Sequence, residues 1–527
     1  MNRLYFGDNL PVLKEYVKDE SVDLVYLDPP FNSKVSYNIL FKSPVGEKSD
    51  AQLHAFQDTW RWEDGAEQAM EEVARTNVSV LNLLNSLKNF LGESDVMAYI
   101  AMMAPRLIEL HRVLKRTGSI YLHCDQTASH YLKILMDGVF GPTNFLNEIV
   151  WLRSKNPKGS QHANRHFSPH TDNLLFYGKS DQAFFDAEAV RVALTAAELE
   201  EKYNKVDEHG RWLDGPILRS DSMGERPNLV YPYKGFTPGP SGWRVELPGL
   251  QEIDARGNLY WTSTGAPRRK FRPEDDRGDP VGNFWGDIAP VNSQAQERIG
   301  YPTQKPLVLL ERIIKASSKA GDTILDPFCG CGTAIHAAEK LGRHWIGIDI
   351  TYLAIQVIED RLKTWLPHAQ YELSGIPKDE LAARKLAARD PYTFQLWAVG
   401  RIGGQPRGRG ADRGIDGELA FLRGVRDYGR GIISVKGGQN INPDMVRALK
   451  GVVERERADL GIFVCLDAPT SDMRTEAATA HRIDLPGGNR PRLQIVTVAD
   501  LIAGPNLGIV TTLNTIQAAE VARTVSR

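Results

Sequence analysis

The chain has 527 residues, with 64 basic against 66 acidic side chains and a formal net charge of −2. That length exceeds one ordinary hydrophobic core and implies two or three domains, while the balanced charge excludes a uniformly basic polyanion binder, so any nucleic-acid face must be local. No apolar run approaches the roughly 20 residues of a membrane span, four scattered cysteines make neither a disulfide framework nor a tetrathiolate zinc site, and the opening MNRLYFGDNLPVL lacks the parts of a secretory signal, so a cytoplasmic location away from membranes is expected.

In chain order, SVDLVYLDPPF from Ser21 to Phe31 is an apolar run that stops at two prolines, the pattern of a buried strand ending in a rigid turn. Between Leu152 and Gly300 the periodicity gives way to segments rich in Pro, Gly, Trp and Arg, which read as an inserted recognition region. The stretch DTILDPFCGCGTAIHAAEKLGRHWIGIDI reads as strand, glycine-rich turn, helix and a second strand ending at Asp349. Strand, helix and strand in that order imply an α/β fold with a doubly wound, Rossmann-like parallel sheet. A charged, Ala-rich helix from Asp379 to Ala388 then marks a boundary, beyond which the chain has its own glycine-rich basic loop.

In open parallel sheets, ligands sit beyond the carboxyl ends of the strands, where glycine turns admit a cofactor to the backbone. The turn from Asp326 to Thr333 suits that place: Gly330 and Gly332 permit close approach, Phe328 would pack on the cofactor, and Asp349 could bind ribose hydroxyls. The pattern is not GxGxxG, which disfavours NAD. A glycine turn alone can be purely conformational, and Asp28-Pro29-Pro30 alone can simply end a strand. Together, flanking an irregular region of the size needed to read DNA, they point to chemistry on a base amino group. Such a group is a weak nucleophile because its lone pair is delocalised into the ring. A carboxylate acceptor at Asp28, stiffened by Pro29 and Pro30, would localise that pair and align it for in-line transfer, with Phe31 stacking on an extruded base.

With these motifs in hand, residues 1–365 resemble the beta class of amino-directed DNA methyltransferases, which includes the modification subunits of type III restriction systems. The resemblance rests on the DPPF motif preceding the cofactor turn, on Gly7-Asp8-Asn9-Leu10, GSIYLHCDQ, FGPTNFLNEIVW and YPTQKPLVLLERII, and on their order. It implies S-adenosylmethionine as cofactor, with Asp8, Thr303, Gln304 and Lys305 beside it, double-stranded DNA as substrate, base flipping, and adenine N6 as the target, since N4-cytosine enzymes more often carry serine in place of Asp28. Cys331 departs from the serine common between the family's glycines. A restriction subunit or a second copy of the chain would be the protein partner. The expected organisation is a catalytic half at 1–151, a recognition region at 152–300, a cofactor half at 301–375, a linker at 376–390 and a further domain at 391–527. In the recognition region Arg153, Lys155, Lys158, Arg165, Arg268, Arg269 and Lys270 offer phosphate or guanine contacts, each also readable as a solvated surface charge. Trp212, Trp243, Trp261 and Trp285 are read as core rather than base-stacking groups.

The last domain resembles the Mrr-like restriction endonucleases of the PD-(D/E)xK superfamily through FQLWAVGRIGG, GADRGIDGELAF, IISVKGG and GIFVCLDAPTSDMRTEA. That resemblance implies magnesium held by Asp416, with Lys436 stabilising developing charge. Ser434 stands where a second ligand is expected and is a poor one, leaving Glu418 or Gln395 as substitutes, and magnesium is implied only if the domain cleaves DNA. The basic loop with Arg407, Arg409 and Arg413 would meet DNA in either case. Three readings stay open: a DNA amino-methyltransferase with a nuclease-like accessory domain, one chain that both methylates and cleaves, or a DNA-binding protein without catalysis.

Overall fold

Nine strands form the main sheet of the computed structural model, which describes all residues except 31–35, 43–47, 58–61, 63, 155–169, 293–294, 296, 300, 302, 408–413, 425–426, 439, 486–487 and 510–527. In chain order they are β1 (Asn2–Phe6), β2 (Val22–Leu27), β3 (Leu114–Cys124), β4 (Phe145–Leu152), β5 (Thr171–Gly178), β6 (Phe284–Trp285), β7 (Thr323–Asp326), β8 (His344–Asp349) and β9 (Tyr371–Ser374). Their order across the sheet is β6-β4-β5-β3-β2-β7-β8-β1-β9. From β3 to β9 every pairing is parallel, and β5 joins β3 and β4 antiparallel. Central strands such as VDLVYL are covered on both faces, which is why they read as unbroken apolar runs rather than as alternation.

The helices that matter for the site are α1 (Asn9–Tyr16), α2 (Asp95–Val113), α3 (Leu307–Ser317), α4 (Thr333–Lys340) and α5 (Tyr352–Trp365). Helix α2 is capped by the Ser94 hydroxyl, which accepts from the Met97 N–H at 3.3 Å, and buries residues around its whole circumference within the largest hydrophobic cluster. Two segments expected to lie in the inserted region belong instead to this sheet: β5 is one of its interior strands and β6 its edge. Residues 376–390 are also more than a linker, because α6 (Glu380–Arg389) buries Ala383, Leu386 and Ala387.

Residues 187–282 form a compact unit of their own. Its four-stranded antiparallel sheet runs Leu259–Trp261, Pro267–Phe271, Gly210–Pro216, Lys205–Asp207, over a small core of Ile217, Trp243, Leu250, Ile253 and Leu259. The antiparallel pairing of Pro267–Phe271 with Gly210–Pro216 brings its basic run within reach of acidic residues. Arg268 donates to Asp214 at 2.6 Å, and Asp207 accepts from Lys270 at 2.6 Å and from Arg272 at 2.8 Å. Arg268 and Lys270 are therefore committed to internal ion pairs, contrary to their reading as DNA contacts, while Arg269 lies 4.5 Å from the Phe271 ring centre. Trp243 is fully buried and Trp285 nearly so, as core residues; Trp212 and Trp261 are half-buried.

After α6 come α7 (Pro391–Ile402) and a five-stranded sheet: β10 (Gln405–Pro406), β11 (Gly417–Gly424), β12 (Asp427–Lys436), β13 (Leu460–Cys465) and β14 (Leu493–Thr497), in that spatial order. No described helix is long and apolar enough to cross a membrane.

Because Leu250 is fully buried in so small a cluster, Leu250→Ala is expected to cost about 2–5 kcal/mol of stability, measurable by denaturant unfolding followed through tryptophan fluorescence.

Candidate active site at the strand ends

Four adjacent parallel strands, β2, β7, β8 and β1, each deliver an aspartate at or just beyond the carboxyl end: Asp28, Asp326, Asp349 and Asp8. This is where an open α/β sheet exposes strand-end groups and helix amino termini together, and it gathers residues more than 300 positions apart in sequence. Their environments differ.

Asp28 follows β2 directly, ahead of the buried Pro29. One of its oxygens, Oδ2, accepts from the Lys305 ammonium. The other, Oδ1, is buried and has no hydrogen-bond partner among the described residues. A buried carboxylate oxygen without a donor is costly, so this position is built for a donor brought by a ligand. Phe31 lies outside the described residues, as do Lys155, Lys158, Arg165, Arg409 and Arg413.

Asp326 is buried and accepts from the Phe328 N–H at 3.1 Å. Burial pushes its carboxyl well above the ordinary range, with Asp28 and Asp349 adding repulsion. Asp349 is also raised, again chiefly by burial, against hydrogen bonds from the Thr351 N–H and hydroxyl, each 2.8 Å, and from the Gly330 N–H at 2.8 Å. Those bonds tie the glycine turn to the end of β8. Asp8 is used differently. It caps α1 through the Leu10 N–H at 3.0 Å and pairs with Arg106 of α2 at 2.8 Å, so its carboxylate fixes the fold beside the site.

The turn from Phe328 to Thr333 enters α4 through Gly332, whose φ of +72° and ψ of 31° are left-handed. A Cβ there would come within 2.7 Å of Ile358 Cγ1, so glycine is required both for conformation and for packing. Of the YPTQKP segment, Lys305 alone reaches a site carboxylate among the contacts seen. Gln304 braces the loop, donating to the Glu297 carbonyl at 2.6 Å and accepting from the Ile299 N–H at 3.0 Å. Thr303 is half-buried nearby in sequence.

Arg361 is a contributor that the sequence reading did not single out. Its buried guanidinium donates to the Cys331 carbonyl at 3.1 Å, to the Thr333 hydroxyl at 3.1 Å and to His336 Nδ1 at 3.0 Å. It thereby clamps the turn and the first residues of α4. The signal was present: Arg361 follows Ala354 and Ile358 in the buried stripe of α5, a position otherwise apolar. A second buried network links Tyr26, His123 and Asp172 across β2, β3 and β5. The distances are 3.1 Å from Tyr26 Oη to His123 Nδ1 and 3.3 Å from His123 Nε2 to Asp172. Burial pushes Asp172 upward, but the hydrogen bond with His123 and the nearby basic side chains, Lys305 and Arg153 among them, together hold the carboxyl below its ordinary range.

S-adenosylmethionine, a net cation with one carboxylate, fits this donor set. Buried carboxylates that repel one another complement its cationic groups, and the glycine turn at a helix amino terminus offers backbone N–H groups to its anionic one.

Residues 22–360 match the family of DNA methylases. The chain belongs to this family. Residues 401–491 match a restriction endonuclease family. Among curated proteins, the chain is similar to the type II methyltransferase M.EcaI of Enterobacter cloacae, 28% identical over 366 residues, covering 68% of this chain and 69% of that protein. It is 27% identical over 354 residues to the Mod subunit of the type III restriction-modification enzyme StyLTI of Salmonella typhimurium, covering 64% of this chain and half of that protein. Among solved structures, a DNA modification methylase from Thermus thermophilus complexed with S-adenosyl-L-methionine aligns with a TM-score of 0.33 at 14% identity, over 71% of this chain and 98% of that one.

Burial, then the Arg361 charge, lowers the His336 pKa to about 4 from its ordinary 6.5. The fold thus favours neutral His336, whereas the unfolded chain takes up a proton between those values, so this contribution to stability is lost as pH falls from 6.5 towards 4. The expected outcome is a melting temperature that drops across that window in the native chain and drops less steeply in His336→Gln, measured by thermal scans at stepped pH.

Proposed function

We propose that this DNA methylase transfers the methyl group of S-adenosylmethionine to N6 of an adenine flipped out of double-stranded DNA. The observation that carries this reading is Asp28: a carboxylate at the end of β2 with one oxygen held by Lys305 and the other buried and open to a donor.

When bound, the cofactor supplies an electrophilic methyl group on sulfur. Asp28 Oδ1 accepts a hydrogen bond from the exocyclic amino group, drawing its lone pair out of conjugation and towards the methyl carbon. Lys305 fixes the carboxylate plane by holding Oδ2, and Pro29 and Pro30 limit movement of the backbone that carries it. On methyl transfer the amino nitrogen would lose one proton, which the Asp28 carboxylate would be placed to accept. Asp326 and Asp349, with the turn at Phe328, Gly330, Gly332 and Thr333, hold the cofactor; Arg361 keeps that turn in shape. Flipping is required because the amino group of a stacked base cannot reach Asp28.

The acid at position 28 supports adenine over cytosine, by the resemblance drawn from DPPF. Similarity to a type III Mod subunit supports a role in restriction and modification alongside a restriction subunit.

The test is transfer from labelled S-adenosylmethionine to unmethylated duplex DNA, with the modified nucleoside identified by mass spectrometry. N6-methyladenine is expected from the native chain, reduced at least about 10²-fold in Asp28→Ala. N4-methylcytosine would overturn the choice of base, and cofactor binding without any methylated DNA would overturn the substrate.

A further inference from the structure

The C-terminal sheet carries Asp416, Ser434 and Lys436 at the spacing of a metal-dependent nuclease, but among the described residues they do not make up a ligand set for the metal. Asp416 precedes β11, and Ser434 and Lys436 lie two apart on β12, hence on one face. Among the described residues, Ser434 and Lys436 both face the Asp416 carboxylate. Asp416 Oδ2 accepts from the Val435 N–H at 2.7 Å and from the Ser434 hydroxyl at 3.3 Å, and Lys436 Nζ stands 4.0 Å from the same oxygen.

Of the two candidate substitutes, Glu418 is already engaged by arginines and Gln395, beside Asp416, offers only a neutral amide oxygen. Glu418 accepts from Arg430 Nε at 2.7 Å and from Arg407 Nε at 2.9 Å, so each carboxylate oxygen has a guanidinium. Although burial opposes ionisation of Glu418, Arg430 and then Arg407 hold its pKa below the ordinary range. Gln395 donates its amide to the Asp416 backbone carbonyl at 3.1 Å. Among the described residues no three His, Cys, Asp or Glu side chains converge as a metal site. Magnesium needs octahedral oxygen ligation, usually anchored by carboxylates; here a single carboxylate faces a lysine.

Helix α7, which bears Gln395, is also joined to the cofactor half. A Cβ on Gly400 would stand 2.4 Å from Tyr352 Cβ, so the Gly400 backbone packs directly on the Tyr352 side chain. Arg401 donates to the Tyr352 hydroxyl at 3.1 Å and to the carbonyls of Leu501 and Ile502 at 2.6 and 3.2 Å. Tyr352 follows Thr351, which bonds Asp349. Arg389 of α6 donates to the Tyr16 hydroxyl at 3.2 Å. One helix therefore runs from the Asp416 peptide to the segment that orients Asp349.

We propose that the C-terminal domain is a metal-free buttress of the cofactor half rather than a magnesium-dependent nuclease. The buttressing rests on the reading of Asp349 as a cofactor ligand; the lack of a metal site does not.

The experiment uses the full chain. Free Mn²⁺ is followed by electron paramagnetic resonance during titration, supercoiled plasmid is incubated with Mg²⁺, and S-adenosylmethionine binding is measured by calorimetry for the native chain, Gly400→Val and Arg401→Met. The native chain is expected to bind no more Mn²⁺ than Asp416→Asn and to leave the plasmid intact. The α7 variants are expected to bind the cofactor about tenfold more weakly, roughly 1.4 kcal/mol, with circular dichroism unchanged; Arg401→Met adds no bulk and reads the same contact if Gly400→Val fails to fold. Stoichiometric Mn²⁺ binding lost in Asp416→Asn, or nicking abolished by Lys436→Ala, would overturn the metal-free assignment. Unchanged cofactor affinity in the folded variants would overturn the buttress. Failure of the native chain itself to bind S-adenosylmethionine would instead overturn the methyltransferase reading, leaving the Mn²⁺ result to stand on its own.

Discussion

The ammonium of Lys305 holds one oxygen of the Asp28 carboxylate and leaves the other buried and, among the described residues, without a donor. A polar atom in that state is a standing cost to the fold, and much of the surrounding structure serves to keep it there. The segment bearing Lys305 is braced by Gln304 and by the Glu297 carboxylate, which accepts from the Leu307 N–H at 3.0 Å. On the next two strands, Asp326 is repelled by Asp28 and Asp349 and favoured by the Lys305 charge, and backbone and hydroxyl donors bond both buried carboxylates. The pocket is thus preorganised for a cationic cofactor and a neutral N–H donor, the two species that amino methylation must bring together.

The chemistry-bearing strand ends were legible in the sequence for a physical reason. Buried parallel strands leave unbroken apolar runs, so the residue at which each run stops, Asp28, Asp326 or Asp349, is marked by contrast. What could not be read was which partner each charge finds. Asp8 looks like a cofactor residue from its motif, yet α2, nearly 100 positions later, supplies Arg106 to it. Arg268 and Lys270 look like a DNA-binding run, yet strands more than fifty residues earlier in the chain bring Asp214 and Asp207 to them. Such pairings are tertiary, and local patterning carries no information about them. Arg361 sits between the cases, visible as a cation in an apolar stripe but interpretable only once the glycine turn lies beside it.

The C-terminal domain shows the same principle with the opposite outcome. Its sequence retains an aspartate and a lysine at nuclease spacing, but spacing does not make a metal site when the second carboxylate is replaced by Ser434 and the nearest glutamate is bound by two arginines. What the domain keeps is structural: α7 meets α5 immediately after the residue that orients Asp349, joining the domain to the site that defines the family.

The most direct test is the single-turnover rate of methyl transfer in Asp28→Asn, measured with saturating S-adenosylmethionine and duplex DNA beside the cofactor dissociation constant of the same variant. The substitution keeps the shape of the side chain, but an amide has one acceptor oxygen in place of two. If Lys305 retains that oxygen, the substrate meets an NH₂ group instead of an acceptor. The account predicts a transfer step slower by about 10²–10³-fold with the cofactor dissociation constant changed by no more than a few-fold. A transfer rate within tenfold of the native chain would contradict it.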